Sequence, residues 1–252
     1  QTLGRQERLF RPDVVFTVFG PQYFNARAPH VVGYARPHPL YPPIQRSLGS
    51  RIGYELDRAL VLGRMRTADT LVVETTAARD RLIDRYSFDP QSIAVIANAL
   101  NPDFDPFHQR QPDSETEPVI LVPSAYYPHK NLEACVVAAA RLRERLPHLR
   151  FRVIFTFDVK SSAWGALSSL ASINGVEGYV ENVGSQPIAG MARLYQSAAV
   201  VLLPTLLEVS TAVYPEAFYF SIPLVTSDKD FARSQCGNAA VYVNPHDPSE
   251  IA

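Results

Sequence analysis

Short unbroken apolar runs alternate along this chain with longer stretches whose apolar residues recur at helical spacing. Residues 5–10 read as the end of a helix, and residues 13–20 and 30–35 as buried strands. Pro37, Pro39, Pro42 and Pro43 then impose an extended loop. Residues 44–65 predict a helix, 70–74 a strand, 77–86 a helix and 93–97 another strand. Residues 107–117 are polar, have no apolar period, and read as a linker.

A second alternation follows. Strands are expected at 119–122, 151–155, 176–183, 200–203, 224–226 and 240–243, and helices at 131–146, 163–173, 188–197 and 216–220, with another starting at Pro248. The first of these helices presents Leu132, Cys135, Val136, Ala139 and Leu142 on one face. Strands alternating with helices predict parallel sheets. The expected organisation is an α/β chain with a partial Rossmann-like domain over 1–106, the linker 107–117, and a nearly whole Rossmann-like domain over 118–252.

Composition changes this picture little, and charge changes it more. The chain has 252 residues, 46% hydrophobic, enough for a substantial core. No apolar run is long enough to span a membrane, and no secretory signal opens the sequence. Cys135 and Cys236 are too few and too far apart for a zinc site or staple, and fit small buried hydrophobes in a reducing cytoplasm. Residues 1–85 hold 13 Arg, no Lys and 8 acids, a balance of +5 against −6 for the rest, giving −1 overall. Such a basic part suits peripheral contact with an anionic membrane surface or an anionic acceptor, or is simply a solvated arginine-rich face. Nucleic acid is a poor partner, since neither a lysine-rich stripe nor a binding motif is present.

The segment with the most chemistry is Glu208-Val-Ser-Thr-Ala-Val-Tyr-Pro-Glu216, directly after the apolar run ending at Pro204. Strand, short loop and helix start together put carboxylates at the carboxyl end of a parallel sheet, where open α/β sheets bind ligands. Paired acids with no Cys or His cluster beside them suit sugar and ribose hydroxyls rather than a metal. An ionised carboxylate accepts each hydroxyl in a charge-assisted bond worth roughly 1.5–3 kcal/mol. The plainer reading is that Glu216 only decorates a first helical turn, worth about 0.3–1 kcal/mol there.

These residues resemble the retaining GT-B fold glycosyltransferases of family 4, well over 68–252 and loosely before that. The resemblance is carried by Tyr127-Pro-His-Lys130-Asn131-Leu, by Gly184 with the helix and strand leading to Leu203-Pro204-Thr205, and by the two-glutamate loop followed by Pro223-Leu-Val. Asn98-Ala-Leu-Asn-Pro-Asp-Phe also matches the family's segment before its linker. The resemblance implies transfer of a sugar from a nucleoside diphosphate donor to a hydroxyl of a saccharide, lipid-linked or small-molecule acceptor, with retention and with neither cofactor nor metal. Glu208 would face the donor sugar as a catalytic residue and Glu216 the ribose. Lys130 and the amides beside Asn131 would hold the diphosphate, and Gly184 would lie against the nucleotide.

Three departures stand out. Val209, Ser210 and Thr211 occupy positions where the family usually has glycines, though the two hydroxyls could meet an oxyanion. The family's second diphosphate cation is replaced by Ala125, leaving Lys130, one of three lysines in the chain, as the main side-chain cation or as a solvated helix-start lysine. The family's acceptor-side histidine corresponds to His38 or, by counting, to Arg36, and a plain proline-rich loop accounts equally well for both. Glu74 has a similar rim position on weaker support. The expected function is a cytoplasmic or peripherally membrane-bound bacterial transferase of polysaccharide or glycolipid synthesis, here a fragment lacking its final helix. The alternative is a non-catalytic GT-B-like nucleotide-binding or scaffold subunit. A phosphorolytic or epimerising enzyme stands behind both.

Overall fold

A computed structural model describes residues 2–42, 48–107 and 117–252. By their contacts the residues fall into two units, Gln1–Asn98 with Leu207–Ser210, and Ala99–Leu206 with Thr211–Ala252. The expected linker lies almost wholly outside the described residues, as does the start of the helix expected from residue 44.

The first unit runs α1 (Thr2–Phe10), β1 (Val15–Thr17), β2 (His30–Tyr34), α2 (Leu48–Met65), β3 (Thr70–Val73), α3 (Thr76–Tyr86) and β4 (Ile93–Val95). Its four strands are parallel in the order β1-β2-β3-β4. Val32, Tyr34, Leu71 and Val73 are buried in the sheet, with Val61, Met65, Ala78 and Leu82 of the helices also in the core. Gly33 is required by close approach, because a Cβ there would collide with the Val18 carbonyl. Thr75 caps α3, its hydroxyl accepting from Ala78 N at 3.1 Å.

The strand expected over 13–20 is corrected in two respects: only Val15–Thr17 pair, and the run is not buried. Phe16 and Val18 are more than half exposed because β1 is an edge strand, with β2 on one side alone.

The second unit contains β5 (Val119–Val122), α4 (Leu132–Arg145), β6 (Arg152–Phe155), α5 (Ser162–Ile173), β7 (Val180–Asn182), α6 (Ile188–Ser197), β8 (Ala198–Leu203), α7 (Val213–Tyr219), β9 (Leu224–Ser227), α8 (Asp230–Cys236), β10 (Val241–Val243) and α9 (Pro248–Ile251). Its six strands are parallel in the order β10-β9-β8-β5-β6-β7. The chain therefore starts in the middle, winds outward through β6 and β7, and returns to the other side of β5 as β8. That reversal is the switch point of a doubly wound sheet, and the loops after β5 and β8 flank it.

The expected apolar face of α4 packs as anticipated: Leu132, Cys135, Val136 and Ala139 join Phe155, Leu167 and Val176 in one core cluster, with Leu142 at its edge. Both thiols are buried, and burial pushes Cys236 up to about 12 and Cys135 higher still, so they behave as apolar groups.

Further departures from expectation lie in the second unit. The strand expected over 176–183 is limited to Val180–Asn182, because Val176 is used as a core plug in the preceding turn, its N–H donating to Ala171 O at 2.9 Å. Helix α7 begins at Val213, three residues early. Pro215 is tolerated there because the N–H it lacks would have no intrahelical partner in a first turn. Helix α8 has no counterpart in the sequence reading. Residues 99–107 group with the second unit, since Phe104 is buried against Tyr195 and Phe220.

Leu121 on the central strand β5 is 0% exposed, whereas Phe16 on the edge strand is 58% exposed. Leu121→Ala is expected to lower unfolding free energy by about 2–5 kcal/mol. Phe16→Ala is expected to change it by no more than about 0.5 kcal/mol. Urea denaturation of both variants measures the contrast.

Candidate functional site

Parallel strands end at the switch point with main-chain carbonyls that need donors once water is excluded. In the second unit these are supplied by two short segments that hold one another. After β5 the chain makes a 3-10 turn, Pro128–Lys130, ending at Asn131 in the left-handed region (φ 59°). The Asn131 amide donates to Pro204 O at 3.0 Å and Pro245 O at 2.7 Å, tying the turn to the exits of β8 and β10. In return His129 O accepts from Leu206 N at 2.7 Å and from the Thr205 hydroxyl at 2.9 Å. Ser227 at the end of β9 closes the set, donating to Thr205 O at 2.6 Å. The half-buried Lys130 is thus carried on a turn fixed at both ends, immediately before the N-terminus of the 14-residue helix α4.

Glu216 sits in the first turn of α7, half-buried, with the Tyr195 hydroxyl donating to its Oε2 at 2.5 Å. Burial raises the carboxyl above its ordinary value, and the Tyr195 bond opposes this in part. Burial, followed by the Glu216 charge, drives the Tyr195 hydroxyl well above its usual value, so it stays a donor. Thr211 is buried and its hydroxyl accepts from Val213 N, at the start of α7, at 3.3 Å.

A cavity of about 610 Å³ opens at the carboxyl ends of β5, β6 and β7, lined by Ala125, Tyr126, Thr156, Asp158, Ser161 and Ser185 among others. Ala125 contributes a methyl group where the family pattern has a second cation. Tyr126 donates to Glu133 Oε1 at 2.6 Å, a bond that with burial pushes the phenol up to about 12. Gly184, next to the lining residue Ser185, has φ +76° and donates its N–H to Asn182 Oδ1 at 3.1 Å. The Asn182 side-chain nitrogen is buried with no protein partner among the described residues.

In the first unit the stretch Leu207–Ser210 packs at the end of β3. Glu208 is 6% exposed and Val209 2% exposed, and the Thr75 hydroxyl donates to Val209 O at 3.1 Å. The Ser210 hydroxyl donates to a Glu74 carboxylate oxygen. Val209, where the family usually has a glycine, is thus a packed side chain. Arg36 makes an exposed ion pair with Asp57 at 3.7 Å, an arrangement worth little. His38 is half-buried, and its carbonyl accepts from the Tyr54 hydroxyl.

Sequence reasoning missed Tyr195, Asn131 as a tether, and Thr205. The first was hidden because a tyrosine in an amphipathic helix looks like core. The second carried a signal, since an asparagine just before a helix is often a cap; here its side chain bonds to distant carbonyls instead.

Asn131→Ala removes both tethering donors and places a Cβ-bearing residue without a polar side chain in the left-handed region. The expected loss is about 2–4 kcal/mol, with Asn131→Gly spared the conformational share of about 1 kcal/mol. Chemical denaturation of both variants separates the two contributions. For Glu216 the folded state holds the proton more tightly than the unfolded chain. Stability from this group is therefore complete below the unfolded value of about 4.3 and is lost as pH rises through the raised folded value. The unfolding free energy of wild type relative to Glu216→Gln is expected to move in favour of wild type from about pH 7 to about pH 5. Urea titrations at the two pH values decide the sign.

Comparison with known proteins agrees with this architecture. The family profile described as Glycosyl transferases group 1 matches residues 117–252. A D-inositol 3-phosphate glycosyltransferase of Corynebacterium aurimucosum is 28% identical over 175 residues, covering 64% of this chain and 41% of the relative. That of Corynebacterium kroppenstedtii is 24% identical over 199 residues, covering 73% and 44%. The chain thus matches less than half the length of either. Among solved structures, the sucrose-phosphate synthase of Thermosynechococcus elongatus superposes with a TM-score of 0.77 at 16% identity, covering 99% of this chain and 65% of that one. Anabaena HepE in complex with UDP gives 0.72 at 16% identity, covering 99% and 69%. These neighbours share the GT-B fold, of which the two parallel sheets here form a part. With residues 117–252, more than half of its length, matched by this profile, the chain belongs to the group 1 glycosyl transferase family.

Proposed function

We propose that this chain takes part in retaining transfer of a sugar from a nucleoside diphosphate donor to a hydroxyl acceptor, and that its second unit binds the donor nucleotide. The observation that carries the reading is the mutual tethering of the loops after β5 and β8, which holds Lys130 at the switch point of the sheet. Lys130 and the first amides of α4 neutralise the diphosphate as it leaves, a task that needs no metal. Glu216 accepts the ribose hydroxyls. Gly184 and the cavity beside it receive the rest of the nucleotide. Glu208, with the role its motif implies, orients the donor sugar, and the diphosphate oxygen draws the acceptor proton on the same face. Arg36 and His38 serve the acceptor side.

The relatives support this reading: two are D-inositol 3-phosphate glycosyltransferases, and a structural neighbour is in complex with UDP. Bacterial polysaccharide or glycolipid synthesis is the setting that fits them. None of the described helices is long and apolar enough to cross a membrane. Ile52, Leu56 and Leu60 form an exposed stripe on α2 in the arginine-rich part, which supports peripheral contact with an anionic membrane.

A second reading, nucleotide binding without turnover, is favoured by Ala125, which leaves the diphosphate one cation short. Thermal unfolding with UDP, GDP and ADP, followed by titration of whichever raises the midpoint, tests the donor site. Lys130→Ala and Glu216→Ala are each expected to weaken binding by roughly 10–100-fold. If none of the three nucleotides shifts the midpoint, the donor-site assignment fails. Binding without transfer or hydrolysis of any matching nucleotide sugar selects the second reading.

A further inference from the structure

Tyr195 has more holding it than a core tyrosine needs. It is 0% exposed on α6, and its ring stacks on Phe220 at 5.4 Å and 13° between planes. Phe104 meets both rings edge-on, at 6.1 Å from Tyr195 and 5.6 Å from Phe220. Phe104 is held in turn by its own 3-10 segment, Pro102–Phe107, where Phe107 O accepts from Gln196 at 2.8 Å and Asp105 accepts from the Tyr219 hydroxyl at 3.2 Å. A phenylalanine at position 195 would satisfy all of this ring packing. What the hydroxyl adds is one bond, to Glu216 Oε2.

That bond has a geometric consequence. A carboxylate on a flexible side chain rotates about its terminal torsion, and a ligand must stop that rotation at an entropic cost. With Oε2 held by a donor fixed in a three-ring clamp, Glu216 is orientated before any ligand arrives. Among the described residues no side chain is bonded to Oε1, so it remains as the acceptor for an incoming hydroxyl. The raised Tyr195 hydroxyl keeps its proton at any working pH and holds this role throughout.

We propose that Tyr195 is a positioning residue for nucleotide recognition, holding Glu216 Oε2 so that Oε1 meets the ribose diol, and that the preference for ribose over deoxyribose depends on this buried side chain that the nucleotide does not touch. This rests on the assignment of Glu216 to the ribose. The competing account is a satisfied buried hydroxyl with no bearing on ligands.

Calorimetric titration separates them, using whichever of UDP, GDP and ADP binds tightest together with its 2′,3′-dideoxy counterpart. Wild type is expected to prefer the ribonucleotide by roughly 10–100-fold. Tyr195→Phe is expected to shrink that preference about fivefold to tenfold while altering dideoxynucleotide binding less than about twofold. In a Glu216→Ala background, which lacks the acceptor, the same change is expected to have no further effect, since the two residues act as one unit. Full preference retained in Tyr195→Phe, or equal losses in both backgrounds, overturns the proposal. No preference in wild type, or no nucleotide bound, overturns the ribose assignment itself and the proposal with it. Should Tyr195→Phe not fold by circular dichroism, Phe104→Leu loosens the clamp without touching the carboxylate. It is expected to lower the preference, and an unchanged value counts against the proposal.

Discussion

The candidate site of the second unit depends on the satisfaction of strand-end carbonyls at the switch point. Beyond the paired residues of β5 and β8 the ladder ends, and the carbonyls of the loops that follow are met by donors from the loops themselves. Asn131 supplies two donors from a single amide, and Thr205, Leu206 and Ser227 supply three more. Each such bond adds only about 0.5–1.5 kcal/mol net, but leaving a buried partner unmet costs about 1–3 kcal/mol. The two loops therefore hold together as a set, and the Lys130 turn inherits its position from them.

Electrostatically the site is spare. An arginine would present a planar fork to a diphosphate, whereas Lys130 presents a single point charge. The rest of the positive potential comes from the amides that open α4 and from the turn before it. The acid side is equally economical. Glu216 is raised by burial and partly restored by one phenolic donor, a balance that keeps a carboxylate usable in a half-buried place.

Much of this was legible in the sequence, for identifiable reasons. Helix α6 was read to the residue, because its apolar spacing is clean and Ala198 begins an unbroken apolar run. The strands β5, β6, β8 and β9 were located because central parallel strands are apolar on both faces. The run at 13–20 misled for the converse reason: apolar character reports what a segment can bury, and the edge position of β1 leaves half of it uncovered. The start of α7 at Val213 is hidden because a proline reads as a helix boundary, although one three places into a helix loses no intrahelical bond. Among the candidate residues, Lys130, Glu208 and Glu216 stood out by residue type and order. Tyr195 did not, since its importance lies in which carboxylate its hydroxyl reaches, and no local pattern encodes a contact between positions 195 and 216.

The aromatic cluster around Phe104 also says where the second unit physically begins. The family profile starts at residue 117, yet Phe104 is 3% exposed and covers Tyr195 and Phe220 from the segment before it. Cutting the polypeptide at the profile boundary would strip that lid and open two rings to water, at a cost of roughly 1.5–3 kcal/mol for the lost phenylalanine alone. A second unit prepared with its aromatic cover starts at Ala99, so the boundary drawn by sequence similarity falls inside that unit.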